Sequence, residues 1–325
     1  MKTTTTDEIL AYIKGKGPVT PRELYDHFSI SSRAIFKQLK KLIEKGVLEK
    51  IGTPPKVYYQ LVVNIANEAD LNISKSTQEL IDSEFLEITP MGEIMSGTKG
   101  FQYWCKKRNL DPSGAAVDFV NTFKKYGAYR KNQLIDGMYK MRDTFKDVFP
   151  DQVFYLDFYS IERFGKTKLG KMLLYAKQSQ NKEFIRILVN DVKPKIEMLI
   201  KLYKIDAVCF VPPTVKREVQ FMNELKRHLS LNLPTISIYK VKTQVVVPQK
   251  TLNKLEDRIE NASRTIIVDD KKSFRNILLI DDAVGSGASM NETARQLKNK
   301  GVAIKKVIAV AITGSFKGFD VISEV

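Results

Sequence analysis

Cysteine and histidine are almost missing: Cys105, Cys209, His27 and His228 are the entire supply in 325 residues. That pool cannot furnish a four-ligand Cys/His zinc site, and two thiols so far apart do not make a disulfide framework. Long apolar runs are absent too. None approaches the roughly 20 residues that span a bilayer. The opening, Met-Lys before four threonines, lacks the apolar stretch of a secretory signal. A soluble, cytoplasmic protein with no membrane partner and no protein-held metal is expected. Acidic side chains are the minority charge: 37 Asp and Glu face 53 Lys and Arg, for a net charge of +16. Such an excess suits polyanionic partners, nucleic acid or phosphorylated ligands. Scattered surface lysines that serve only solubility give the same total.

Apolar residues make up 43% of the chain, enough for a packed core. The charge is unevenly laid out. Residues 1–62 hold eleven Lys/Arg against six Asp/Glu, residues 63–150 twelve against twelve, and residues 151–325 thirty against nineteen. Two basic modules flank a neutral one, and three domains with those bounds are expected.

In the first module Asp7–Lys14 has helical spacing. Thr20, Pro21 and Glu23 form an N-cap, a first-turn proline and a capping box for a second helix through Leu24 and Phe28. Ser31 or Ser32 caps a third, which Gly46 stops. On it Ile35, Leu39, Leu42 and Ile43 face a core. Arg33, Lys37, Lys40 and Glu44 share the other face, with Phe36 and Lys41 at its borders. Strands are expected at Val47–Ile51 and Lys56–Leu61, turned by Gly52-Thr53-Pro54-Pro55. This plan resembles the winged helix-turn-helix of bacterial regulators. That likeness implies double-stranded DNA as a partner, with Arg33, Phe36, Lys37 and Lys40 at the major groove and Lys50 and Lys56 of the wing at phosphates. A winged helix used only for protein docking leaves the same face solvated.

Residues 63–150 read as a helical joining segment, with helices at Ser74–Phe85, Phe101–Arg108, Ala115–Tyr126 and Lys131–Phe149, and Trp104 in a core. From Val153 onward apolar β-branched segments alternate with amphipathic ones. Strands are expected at Val153–Phe158, Ala207–Val211, Thr235–Val241, Ile277–Ile280 and Ile304–Ile312. Helices are expected at Lys182–Lys204, Lys216–Leu229 and Met290–Lys300. The fold class is α/β with a mainly parallel sheet, whose ligands lie beyond the carboxyl ends of the strands.

The sharpest chemistry lies at residues 276–289. A buried strand delivers Asp281 and Asp282, a stretch ending in Gly285-Ser286-Gly287 follows, and then a helix begins. Glycines let backbone N–H groups approach an anion, hydroxyls of Ser286 and Ser289 add donors, and the helix start adds its dipole. Paired carboxylates accept hydrogen bonds from a diol and can share a hydrated Mg²⁺. Phosphate on one side and a diol on the other describe a ribose 5-phosphate. A Walker loop does not fit, because no Gly-Lys-Ser/Thr follows.

Asp281-Asp282-Ala283-Val284-Gly285-Ser286-Gly287-Ala288-Ser289 resembles the fingerprint of type I phosphoribosyltransferases, two acids before Thr-Thr-Gly-x-Thr. Gly285 and Ser286 replace the first two threonines. The resemblance implies that Asp281 and Asp282, as the catalytic-site acids, hold the ribose hydroxyls. It implies that Gly285, Ser286, Gly287, Ala288 and Ser289 wrap the 5-phosphate, and that Mg²⁺ accompanies pyrophosphate. Three further stretches are similar to ComF-type proteins: Leu174-Tyr175-Ala176-Lys177; Val211-Pro212-Pro213 with Lys216, Arg217 and Phe221; and Gln249-x-x-Leu252 with Arg258 and Asn261. Pyrophosphate is then expected on Lys216 and Arg217, with Lys166 and Lys168 as second choices.

Three functions stay open: a DNA-binding regulator or sensor of phosphoribosyl pyrophosphate or a nucleotide, an active phosphoribosyltransferase targeted by its winged helix, and an antiviral effector. The last follows from a resemblance to bacterial defence cassettes, retrons among them, and implies a reverse transcriptase and non-coding DNA as partners. A homodimer is expected by analogy.

Overall fold

A computed structural model of the chain describes residues 4–62, 71–241 and 243–315. The first three residues of the expected leaderless start, and the last ten of the expected 151–325 domain, lie outside the described residues. So do the first eight of the expected 63–150 segment. The chain divides into two compact units, Met1–Asp70 and Leu71–Val325.

The first unit is built from three helices, α1 (Thr5–Lys16), α2 (Pro21–Phe28) and α3 (Ser32–Glu44), and an antiparallel hairpin, β1 (Leu48–Thr53) with β2 (Lys56–Leu61). Each helix start is chemically punctuated. The Thr4 and Thr20 side chains accept from the backbones of Asp7 and Glu23, whose carboxylates return the bond, and Ser31 caps α3. Ile9, Ile13, Val19, Leu24, Ile35, Leu39, Leu42, Leu48 and Tyr59 close one core. A buried leucine such as Leu39 contributes roughly 1.5–3 kcal/mol by leaving water. Ile43, expected inside with them, is instead 37% exposed. It sits one residue past Leu42, about 100° around the helix, beyond the edge of the apolar stripe.

The second unit begins with α4 (Lys75–Glu84), a small hairpin of β3 (Leu86–Ile88) and β4 (Ile94–Ser96), α5 (Gly97–Lys107) and α6 (Pro112–Gly127). Then come β5 (Arg130–Lys131), β6 (Leu134–Asp136), α7 (Met138–Thr144), β7 (Gln152–Phe158), β8 (Ser160–Ile161) and β9 (Gly165–Lys166). Next are α8 (Lys168–Ser179), α9 (Lys182–Tyr203), β10 (Ala207–Phe210), α10 (Phe221–Leu229), β11 (Ile238–Lys240), α11 (Leu255–Thr265) and β12 (Ile266–Val268). The chain continues through β13 (Phe274–Val284) and α12 (Ala288–Asn299) to β14 (Ala303–Gly314). A six-stranded sheet runs β10-β13-β14-β7-β6-β5. Its first four strands are mutually parallel, and β6 and β5 add on antiparallel.

Both faces of this sheet are covered, which is why its strands read as continuous apolar runs. Ile277, Leu279, Ala309 and Ala311 pack with the aromatics Phe101, Trp104 and Phe119, while Leu278, Ile280, Ile308 and Val310 pack with Leu173, Leu188 and Leu225. Trp104 is core, as its surroundings in the sequence suggest.

Three expected elements differ. Lys131–Phe149 is not one helix. Asn132 and Gln133 turn at positive φ (50° and 63°), so Leu134–Asp136 folds back as a strand and only seven residues of α7 follow. Leu134, Ile135, Met138 and Met141 sit at spacings that a helix and a strand-plus-helix satisfy equally. Thr235–Val241 is not a strand of the parallel sheet: Thr235 makes one isolated parallel bridge to Val208, and β11 pairs antiparallel with β12. Lys216–Leu229 is helical only from Phe221, leaving Lys216 and Arg217 in a loop.

Candidate functional site

The β13–α12 junction sets the geometry. β13 runs four residues further than Ile280, so Asp281 and Asp282 lie in the last part of the strand. Asp281 is level with Ala311 on β14, and Ala283 with Thr313, which in turn is level with Asp157 on β7. The carboxylates thus stand at the carboxyl end of the parallel sheet, where open α/β sheets receive ligands.

The turn that follows is tight. Gly287 caps α12 in the left-handed region, φ 86°, a conformation that costs an L side chain roughly 1–2 kcal/mol. The Ser286 hydroxyl, buried, accepts from the Ala288 N–H at 3.3 Å, and Ser289 falls in the first turn of the helix. Gly285, Ser286, Gly287, Ala288 and Ser289 are therefore contiguous around one helix N-terminus, whose N–H groups and dipole favour an anion.

Side chains distant in sequence complete the acid pair. Lys177, in the last turn of α8, holds Asp282 in an ion pair of 2.9 Å, with the two side chains 15% and 19% exposed. On the other side Lys240 at the end of β11 donates to Thr214 Oγ1 (2.7 Å) and Asn261 Oδ1 (3.3 Å). Gln249 donates to the same Asn261 oxygen (3.1 Å) and to the Arg258 carbonyl, while Arg258 Nε donates to the Leu252 carbonyl. The Gln-x-x-Leu and Arg-x-x-Asn positions thus form one hydrogen-bonded cluster, and its outcome is to hold Lys240 in place.

Electrostatics follow from this packing. Burial, and next the charge of Asp282, push the Asp281 carboxyl above the usual carboxylate range; the Asp282 N–H on its Oδ1 (2.8 Å), Lys177 and Lys240 oppose the rise. Burial lowers Lys240 to about 8, with Asp281 opposing the fall. Among the described residues no three His, Cys, Asp or Glu side chains converge as a metal cage. Two carboxylates beside a glycine turn instead suit a Mg²⁺ that arrives on the oxygens of a ligand and keeps several waters.

The expected pyrophosphate residues lie on the loop after β10. Lys216 is exposed. Arg217 is half-buried and donates to the Lys177 carbonyl, and the Val219 N–H donates to Gln180 Oε1 (2.9 Å). The loop is thus tied to the end of α8 that carries Lys177. Lys166 and Lys168 are not brought there. Lys168 starts α8, about 14 Å along the helix from Lys177, where its ammonium reaches the Ser83 carbonyl (3.1 Å) and Asp191 (3.4 Å). Sequence reading missed Lys177 and Lys240 as site residues. The only signal for the first was its place in the Leu-Tyr-Ala-Lys stretch; nothing local marked the second. In the first unit Arg33, Phe36, Lys37, Lys40, Lys50 and Lys56 are all exposed.

No curated protein matches the chain. A solved hypoxanthine phosphoribosyltransferase from Staphylococcus aureus is 16% identical with a TM-score of 0.25; the match covers 40% of this chain and 63% of that one, less than two thirds of its length. Residues 187–317, which carry the acid pair and the glycine turn, match the family model of the phosphoribosyl transferase domain.

Proposed function

We propose that this is a DNA-binding protein whose C-terminal domain takes phosphoribosyl pyrophosphate or a nucleotide, and that ligand occupancy regulates its DNA affinity. One observation carries the ligand half: Asp281 and Asp282 lie near the end of a parallel strand, two residues before the Gly285–Ser289 turn at the start of α12. Carboxylates accept from the ribose hydroxyls and the turn receives the 5-phosphate. Mg²⁺, bound through ligand oxygens, would neutralise pyrophosphate charge. Lys177, Lys240 and Arg217 gather positive charge around the same strand ends, where an anionic ligand is stabilised. The DNA half rests on the first unit, where Arg33, Lys37 and Lys40 project from an exposed face of α3 and a helix of this size fits the major groove.

Calorimetry with phosphoribosyl pyrophosphate and Mg²⁺ tests the reading. The intact chain should bind. Asp281→Asn and Asp282→Asn should each weaken binding about 10- to 100-fold, the worth of a charge-assisted hydrogen bond. Undiminished affinity in both variants would show that the acid pair does not hold the ligand. Pyrophosphate release during the same titration would move the reading from sensor to transferase.

A further inference from the structure

α3 buries Ile35, Leu39 and Leu42 in the core of the first unit and turns Arg33, Phe36, Lys37 and Lys40 outward. Those four follow the i, i+3, i+4, i+7 spacing of neighbours on one helix surface. Phe36 is the odd member. At 50% it is the most exposed large apolar side chain among the described residues of this unit. A ring half in water forgoes much of the stabilisation that burial would give it. Local structure does not require it there, because Ser31 caps the helix and the buried stripe is complete without it. Its neighbours are cations: Arg33 about one turn before it, Lys37 beside it and Lys40 about one turn after, while the next exposed apolar residue on the helix, Ile43, is two turns on. Glu44 is the one acid on α3, 3.9 Å from Lys40 in an exposed pair that screens little of this charge.

An apolar ring set among cations suits a polyanion that offers small apolar groups between its charges. Duplex DNA has that character. Its major groove, about 12 Å wide, admits an α-helix between walls of phosphate, and each A·T pair places the C5 methyl of thymine on the groove floor. We infer that Phe36 is a base-reading residue: its ring packs against a thymine C5 methyl, so the protein selects duplexes with thymine at that position. Arg33, Lys37 and Lys40 supply the phosphate attraction that holds α3 in the groove. This rests on the DNA half of the reading given above and adds the base that the helix selects. Single strands fit less well. Binding them by stacking uses several aromatic rings along a groove, whereas α3 carries one aromatic ring on a convex surface.

The probes are duplexes that the full chain selects from a random library, with affinities read by fluorescence anisotropy. Each thymine of the selected site is replaced in turn by deoxyuridine, which removes the C5 methyl alone. At one position the parent should lose about fourfold in affinity, the worth of one methyl group returned to water. Phe36→Ala should bind the thymine duplex at least about fourfold more weakly than the parent, and should bind thymine and deoxyuridine duplexes equally at that position. Because Phe36 is half exposed, the variant should melt at the temperature of the parent. If no deoxyuridine weakens the parent, or if the same one weakens Phe36→Ala as much, the ring does not meet the methyl and the inference falls. It falls equally if the chain binds duplexes without sequence preference, or binds single strands more tightly than duplexes. A full chain that binds no DNA removes the DNA half of the proposed function, and this inference with it.

Discussion

Two carboxylates, Asp157 buried and Asp281 half-buried, lie near the carboxyl ends of strands in the same sheet, and their partners give them different work. Asp157, one residue before the end of β7, has Arg130 on its Oδ1 at 2.5 Å, and burial lifts it to about 6 against the pull of that guanidinium. It is an ion pair within the fold. Asp281 has a second acid beside it and two lysines nearby, an arrangement that leaves carboxylate oxygens for a diol. Lys240 makes this testable by pH. Its folded value, about 8, lies below the unfolded lysine value of roughly 10.4. The ammonium is therefore lost from the native protein as pH rises through 8, and affinity for phosphoribosyl pyrophosphate should fall roughly fivefold between pH 8 and pH 9. Stability moves the other way. Between about pH 8 and pH 10 the unfolded chain binds more protons than the native one, so this group makes unfolding less favourable as pH rises. Calorimetric affinity and urea midpoints, measured across that window, should show opposite slopes. Lys240→Arg should flatten the binding profile.

At the scale of the element, the β13–turn–α12 junction depends on two glycines for two reasons. Gly287 needs its positive φ, and the Met141 thioether that a methyl would meet can swing aside. Gly314, at the end of β14, needs the space: a methyl there would lie 2.2–2.4 Å from the buried Tyr155 ring, which Gly137 also crowds. Gly287→Ala should cost about 1–2 kcal/mol from the backbone conformation alone. Gly314→Ala should cost about 1–3 kcal/mol from overpacking, and it should disturb β7 and α7 as well. Urea unfolding ranks the pair. An alanine at 314 as benign as one at an exposed strand position would mean that Tyr155 is not held against β14.

For the whole molecule, the division after Asp70 gives each unit its own core: one of residues 9–61, and two clusters in the second unit that draw on residues 73–312. The residues proposed to hold the ligand all fall within Leu71–Val325. A chain starting at Leu71 should therefore bind phosphoribosyl pyrophosphate within about twofold of the parent, since no contact to the ligand is removed, and should lose duplex binding. In the full chain Arg33, Lys37 and Lys40 changed together to Gln should weaken DNA binding and lower the salt slope by about 0.9 for each phosphate contact removed. A slope that does not change would assign α3 to protein docking.

Much of this was legible one stretch at a time. The capping box at Thr20–Glu23, the stripe Ile35-Leu39-Leu42, and the strand-acid-glycine run through Ser289 each carry their cause in adjacent residues, because capping, helical periodicity and turn chemistry act over a few positions. The hairpin at Arg130–Asp136 was not legible, since its apolar spacing fits helix and strand alike and only pairing with β7 decides between them. The sequence by itself determined the α/β class, the acid pair and the turn that follows it. Tertiary structure decided their company. Lys177 meets Asp282 across 105 residues, and Lys240 is held by Asn261 and Thr214. Such contacts have no local signature, because a lysine on a helix or strand end reads the same whether it faces water or a carboxylate until the chain is closed around it.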